Sequence, residues 1–529
     1  MRNASTPPQQ IGILPKASLV RNSSRMRMDE SLGNKPRPFS SYFNPFLLHL
    51  CYFVAVSLLG FLALRSATPR SVSSPPTDLD YFFTSVSATT VSSMSVVDME
   101  VFSDLQLVII IILMFSGGEV FTSLLGLQLR LLRSRFSAGR VAMNPSRITC
   151  LELKMLAGGV NYGINDDGLG MKLPPEDHRT LVFESIKWLA YVVSGYLVVV
   201  HVTGFASVFL YLTLISSASR VLDDKGISIR TFSAFLPVST FSNCGFTLTN
   251  ENMTVFRKNS GLLLVLFPLT LLGNTLYPPC LRAAIWGLGK LSKRPVFMYI
   301  LKHHEAIGYE QLLPGSHSSF LLATAFGFLL LQFVLLTAME WGSRVMAELN
   351  TYQRIVAAWF QVVNTRHSGE TTFELASVST AVLVLFIVMM YLPPYTTFLP
   401  TNKAGGISPP MKPKGKSSLT DYLLLSPLSY LAFFVVLVCV TEREKLRNDP
   451  LNFNVFNITI EVISAYGNVG YSMGYSCISR LEPTGPCKDT GYGFVGRWST
   501  GAKIALIVVM FFGRLKKFFI PGGKAWKLS

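Results

Sequence analysis

The chain has 529 residues, of which 50% are hydrophobic and only 15% charged, with 47 Lys and Arg against 30 Asp and Glu for a net charge of +17. Soluble domains carry about 25% charged residues, so the chain is short of charge and rich in apolar surface, and 7 cysteines are too few for a disulfide scaffold. The composition is also too apolar for a long disordered protein. The excess positive charge must therefore be explained by where it sits.

Residues 1–43 are polar and rich in Ser, Pro and Arg, and are expected to form a disordered cytosolic tail. The apolar run behind so long a tail does not read as a cleaved signal peptide. A bilayer-spanning helix takes about 20 apolar residues, and eight such runs follow, at 44–64, 105–128, 186–214, 260–288, 318–339, 376–399, 421–441 and 499–519. Eight spans put both termini on one side. That side, comprising both tails and the loops after the second, fourth and sixth spans, holds 29 basic and 10 acidic residues, or +19; the other connections total −2. The positive-inside rule assigns the basic side to the cytoplasm, so the charge is topology and no nucleic-acid partner is required.

The outer connections carry the specific signal. Each joins an odd span to the next even one through a moderately apolar stretch and a small-residue turn. Asp80–Ser95 reads DYFFTSVSATTVSSMS, Thr231–Leu248 TFSAFLPVSTFSNCGFTL, Ile355–Glu370 IVAAWFQVVNTRHSGE and Phe456–Gly474 FNITIEVISAYGNVGYSMG. Four copies of span, re-entrant segment, span give the expected fold class. It is an all-α integral membrane protein of eight transmembrane helices and four pore helices around one central ion pathway. The expected organisation is repeat A 44–132, cytosolic linker 133–182, repeat B 183–289, linker 290–316, repeat C 317–399, linker 400–419, repeat D 420–520 and cytosolic tail 521–529. Non-helical backbone at membrane depth survives only where it lines water or is buried in protein. Four such turns around one axis would offer backbone carbonyls in place of a cation's hydration shell. Glycine suits the turn because it visits positive φ and lets the backbone approach closely.

These turns resemble those of the plant HKT transporters, in the Trk/Ktr/HKT superfamily. So do GGEVFTSLLGL (117–127), TNENM (249–253), GNTLYPP (273–279), LVLFIVMMYLPPYTTF (383–398) and TEREKLRNDPLNFNV (441–455), and the similarity runs from about residue 40 to the end. The resemblance implies one selectivity-filter residue per repeat: Ser93, Gly245, Gly369 and Gly470. They are flanked by Val91, Ser92, Asn243, Cys244, His367, Ser368, Asn468 and Val469. Family members with a Ser-Gly-Gly-Gly filter are typically Na⁺-selective. The implied function is thus passive, uniporter- or channel-like Na⁺ transport across the plasma membrane, contributing to Na⁺ homeostasis and salt tolerance. The ion is cargo, and no cofactor is implied. A K⁺ or Na⁺/K⁺ transporter of the same fold is the alternative; an alternating-access carrier or membrane enzyme ranks below both. A homodimer is implied by resemblance to Trk-type relatives.

The remaining expectations concern charges and cysteines. Only ten uncharged residues separate Lys503 from Arg514, about half of the bilayer core, so one end must snorkel or face a polar cavity. Arg514, with Lys516 and Lys517, is a candidate to line the inner pore, where family resemblance implies restriction or rectification of flow. Glu119 stands alone in an apolar run and calls for a partner such as Arg514. Glu370, with Asp78, Asp80, Asp98 and Glu100, is expected at the outer mouth, raising local cation concentration. Cys477 and Cys487 fall on the oxidising side and can form a disulfide; Asn252-Met-Thr254 is an outer-side glycosylation sequon. The seven His form no metal-ligand spacing except the adjacent His303-His304 pair in an expected cytosolic loop, and no GxxxxGK[ST] loop occurs, so enzyme activity and ATP-driven transport are not expected.

Overall fold

Long runs of Leu, Ile, Val and Phe offer the backbone no polar side-chain partner, so its N–H and C=O groups pair within the segment as α-helix. The computed structural model describes residues 45–70, 75–143, 175–393, 395–396, 427–478, 480, 487, 489–490 and 493–519. Its helices are α1 (Pro45–Ser66), α2 (Asp78–Thr89), α3 (Asp104–Gly117), α4 (Glu119–Met143), α5 (Pro175–Leu214), α6 (Ser216–Asp224), α7 (Ile229–Ser242), α8 (Ser260–Leu272) and α9 (Tyr277–Ser292). They continue as α10 (Pro295–Lys302), α11 (His304–Ile307), α12 (Gly315–Glu340), α13 (Thr351–Asn364), α14 (Thr380–Tyr391), α15 (Pro427–Thr441), α16 (Arg443–Asn448), α17 (Val455–Gly467) and α18 (Thr500–Phe519). Among the described residues the only β pairing is an isolated bridge between Tyr475 and Thr490.

Three single helices are long and apolar enough to cross a membrane: α1, residues 181–214 of α5, and α12. The runs read as the second and fourth spans are broken. α3 meets α4 at 61° across Gly118, and α8 meets α9 at 84° across residues 273–276. The sixth and seventh runs are shorter as helices, 12 residues in α14 and 15 in α15. α14 stops two residues short of Pro393; positions 397–399 and 421–426 of those expected spans lie outside the described residues, as do the N-terminal tail before 45 and the 400–419 linker. Leu59, Leu62, Ile112, Val198, Val199 and Val202 are each more than half exposed, an apolar belt suited to lipid rather than water.

Of the four short helices α2, α7, α13 and α17, three are started by local caps, and all four are held by distant contacts. α2 starts on a capping box in which Thr77 and Asp80 cap each other's backbone, α13 on the equivalent box of Asn350 and Gln353, and α17 on Asn454. Each then packs against a helix from elsewhere in the chain: α2 on α18, α7 on α3, α13 on α8 and α17 on α14. Each of the last three leans on the helix that closes the preceding quarter of the chain, and the first leans on the last, so the circle closes.

Candidate functional site

Where the four short helices end, the chain turns inside the protein. In three of these turns the geometry repeats. Val91 and Ser93, Asn243 and Gly245, and Asn468 and Gly470 each pair two left-handed residues two apart, with φ of 50° and 52°, 57° and 88°, and 50° and 96°. The backbone N–H ahead of each second member donates to the carbonyl of a serine five residues back: Ser92 to Ser87 (2.8 Å), Cys244 to Ser239 (2.9 Å) and Val469 to Ser464 (3.0 Å). The Ser239 and Ser464 hydroxyls then accept from the N–H of Gly245 (3.1 Å) and Gly470 (3.0 Å). Ser93 sustains a left-handed φ without being glycine, at a cost of about 1–2 kcal/mol.

The third turn is built differently. Its Gly369 has no left-handed φ, and Val363 stands where the other turns have serine. Instead Ser368 donates its hydroxyl to Asn364 Oδ1 (2.8 Å), and the two His367 ring nitrogens sit 2.6 Å from the Val363 carbonyl and 2.7 Å from Thr275 Oγ1.

The four turns converge. A Cβ placed on Gly369 would lie 2.5 Å from Ser93 Oγ and 2.9 Å from the Gly470 carbonyl oxygen; one on Gly470 would overlap Ser93 Cβ; one on Gly245 would overlap the Gly369 N. The structure thus brings Ser93, Gly245, Gly369 and Gly470 into one ring with room for a single Cβ, the one on Ser93. All four neighbouring pairs (Val91 and Ser92, Asn243 and Cys244, His367 and Ser368, Asn468 and Val469) are buried around it. Asn468 Nδ2 bridges the first and fourth turns by donating to Ser92 Oγ (2.8 Å), 376 residues away. Behind three of the turns a helix glycine touches the last turn of the short helix. A Cβ on Gly117, Gly273 or Gly513 would overlap the carbonyl oxygen of Thr89, Phe241 or Tyr466, each four residues before the ring member.

The charged residues sit elsewhere than expected. Glu370 is fully buried and accepts a hydrogen bond from Thr240 Oγ1, so it does not face an outer mouth. Three of the other four acids are paired with bases: Asp80 with Lys503 (3.1 Å), Asp78 with Arg65 (3.1 Å) and Glu100 with Lys225 (2.8 Å). Lys503 need not snorkel, because Asp80 meets it. Arg514 is buried, donates Nη2 to the Gly117 carbonyl at the α3–α4 bend and lies over Phe53, with Glu119 acting on its charge. Glu119 in turn accepts from Tyr395 Oη at 2.5 Å. Lys516 is directed onto the Tyr466 hydroxyl and over the Tyr391 ring; the Lys517 side chain lies outside the described residues. Cys477 and Cys487 are joined in a disulfide.

Several residues at the site had no distinct mark in the sequence. Asn252, which reads as a sequon, is buried with its amide on the Gly369 carbonyl. Arg366 is buried and donates to the Pro393 carbonyl (2.7 Å), where α14 has ended. The Ser-x₅-Ser/Gly spacing at 87/93, 239/245 and 464/470 was available as a signal, and in the second and fourth turns its serine hydroxyl takes the ring member's N–H.

A helical chain with several membrane-length apolar helices and a buried ring of backbone turns defines an ion-transport class. A family model described as TrkH, cation transport protein, matches residues 174–399 and 415–518. The chain is 44% identical to Cation transporter HKT1;3 of Oryza sativa subsp. japonica over 92% of each chain. It is 46% identical to Sodium transporter HKT1 of Arabidopsis thaliana, covering 88% of this chain and 92% of that one. Among solved structures, the potassium transporter TrkH from Vibrio parahaemolyticus matches 91% of this chain and 85% of its own at 15% identity and a TM-score of 0.48. The chain belongs to the HKT cation transporters of the TrkH family, which are multi-pass membrane transporters and not enzymes.

Proposed function

We propose that this transporter carries Na⁺ selectively and passively, through a pore whose selectivity filter is the ring of Ser93, Gly245, Gly369 and Gly470. The observation that carries the proposal is the convergence of four turns, drawn from four quarters of the chain, on one point where a second Cβ has no room. Backbone carbonyls held that closely can replace the water around a monovalent cation. The neighbouring carboxylate of Glu370 is buried on Thr240, which leaves the ring without an exposed acid to favour divalent ions. The relative named as a sodium transporter supports Na⁺ as cargo, and the Ser93 hydroxyl supplies an extra oxygen at one corner.

On this reading the four quarters of the chain are span–pore–span repeats, and both termini are cytoplasmic. The protein sits in the plasma membrane as a homodimer, each copy with its own pathway. Transport runs down the electrochemical gradient, with about 2.3 kcal/mol per charge for each 100 mV drawing cations inward, and contributes to Na⁺ homeostasis under salt. The test is the reversal potential of the full-length chain in voltage-clamped oocytes bathed alternately in Na⁺ and K⁺. The expected result is a reversal that follows Na⁺ and ignores K⁺. A reversal that follows both ions equally overturns the Na⁺ assignment and leaves cation transport standing.

A further inference from the structure

The third turn lacks the paired left-handed residues of the other three, and the serine hydroxyl that caps the ring member in the second and fourth. Its ring carbonyl is held by a side chain from another quarter of the chain. Asn252 Nδ2 donates to the Gly369 oxygen at 2.8 Å, while Asn252 Oδ1 accepts from the N–H groups of Met253 (2.8 Å) and Thr371 (3.2 Å). Asn252 is 5% exposed, and its backbone is fixed at φ 59° by the Thr249 hydroxyl, which donates to its carbonyl at 2.6 Å. One amide proton and one of the two bonds to the amide oxygen thereby hold the segment that runs from Gly369 to Thr371, while the other ties the amide to its own Met253 N–H. A carbonyl that accepts a hydrogen bond from a fixed amide loses freedom to turn, and its remaining lone pair is all it can offer an ion.

We propose that Asn252 is a positioning residue for the ring: its amide orients the Gly369 carbonyl and so tunes which monovalent cation the ring prefers. This rests on the ring being the ion pathway proposed above. It also removes Asn252 from the set of glycan acceptors, because its amide nitrogen is buried and already donating.

Three variants of the full-length chain test it, each read as the Na⁺/K⁺ permeability ratio at matched surface protein. Asn252→Gly removes the amide and tolerates the left-handed backbone. Asn252→Asp keeps size and φ preference while exchanging the donor for an acceptor. Thr254→Ala destroys the sequon and leaves the amide. The Gly and Asp variants are expected to change the ratio by about three- to ten-fold, the range one hydrogen bond commands, and Thr254→Ala to leave it unchanged. A wild-type ratio in Asn252→Gly and Asn252→Asp overturns the proposal, as does an equal shift in Thr254→Ala, which would assign the effect to a glycan. Ser93→Gly separates the two levels. If it shifts the ratio and the Asn252 variants do not, the ring stands and Asn252 has no part in it; if it shifts nothing, the ring itself is not the filter.

Discussion

Placing a second Cβ in the ring should block transport, and removing the first should restore it. A methyl on Gly369 would sit 2.5 Å from Ser93 Oγ and 2.8 Å from Ser93 Cβ, both side-chain atoms, with the Gly470 oxygen next at 2.9 Å. Overpacking of this kind costs about 1–3 kcal/mol. Ser93→Gly deletes the two nearest atoms, so Ser93→Gly/Gly369→Ala should recover most of that cost, with a coupling of about 1–2 kcal/mol in the double-mutant cycle. Recovery stays incomplete because the Gly470 oxygen remains. Gly245→Ala serves as the contrast, and Gly470→Ala as an intermediate case. Both glycines have left-handed φ, 96° and 88°, which costs an L-residue about 1–2 kcal/mol. Their added methyls also meet backbone, 2.8 Å from the Ser92 oxygen in one and onto the Gly369 N in the other. Ser93→Gly removes the closest contact of Gly470→Ala, Ser93 Cβ, but not its φ strain or its Ser92 oxygen contact, so rescue there should be partial; it relieves nothing at Gly245→Ala. The assay is total conductance per surface-expressed transporter in a mixed Na⁺ and K⁺ bath, so that a change in selectivity is not mistaken for a loss of flow. Wild-type conductance in Gly369→Ala, no gain in the double variant, or equal rescue of Gly245→Ala would each show that the ring is not packed as described.

Three further outcomes follow from the charges. Lys503→Met strands Asp80 in a site where both side chains are nearly buried (13% and 11% exposed) and should cost about 3 kcal/mol, seen as a lower Tm of the purified protein. Adding Asp80→Asn, which keeps an acceptor for the α2 cap, should recover most of it. Arg514→Gln should destabilise by about 3 kcal/mol, because the bend at Gly117 loses its donor and Glu119 its neighbouring cation; Glu119→Gln in the same chain should return part of the loss in the same melting assay. Lys225 lies in the connection between α6 and α7, where burial pulls its ammonium down but the hydrogen bonds it donates to Glu100 and Glu251 outweigh that and raise it. A raised lysine contributes stability that is complete below its unfolded value of about 10.4 and is lost as pH rises through the folded value. The Tm gap between wild type and Lys225→Met should therefore be flat from pH 6 to 9 and narrow only at more alkaline pH.

What could be read from the chain was local. Apolar runs gave the helices, because a bilayer-length stretch without polar side chains has one way to satisfy its backbone. Small residues after moderately apolar stretches located the four turns, including Ser93 as the odd member. The bends at Gly117-Gly118 and Gly273 did not stand out, since glycine inside an apolar run looks like any small residue until the carbonyl it must approach is known. Glu119 called for a cation such as Arg514, but the other charge partners were out of reach for the same reason. Asp80 and Lys503 are 423 residues apart, so each read singly as an outer-mouth acid and a snorkelling base. Glu370 looked exposed because it follows a polar turn, yet that turn is folded inward against α7. Asn252 was masked by its own neighbours: Asn-Met-Thr is a complete sequon, and only the packed structure shows the amide spent on Gly369.

The ring assignment stands or falls on Ser93, the one position where a side chain enters it. The reversal potential of Ser93→Gly, measured beside wild type in Na⁺ and K⁺ baths at equal surface expression, addresses it directly. Removing the Cβ and hydroxyl should admit K⁺ and move the K⁺-bath reversal toward the Na⁺ value. An unchanged reversal with conductance intact would mean that ions do not pass this point.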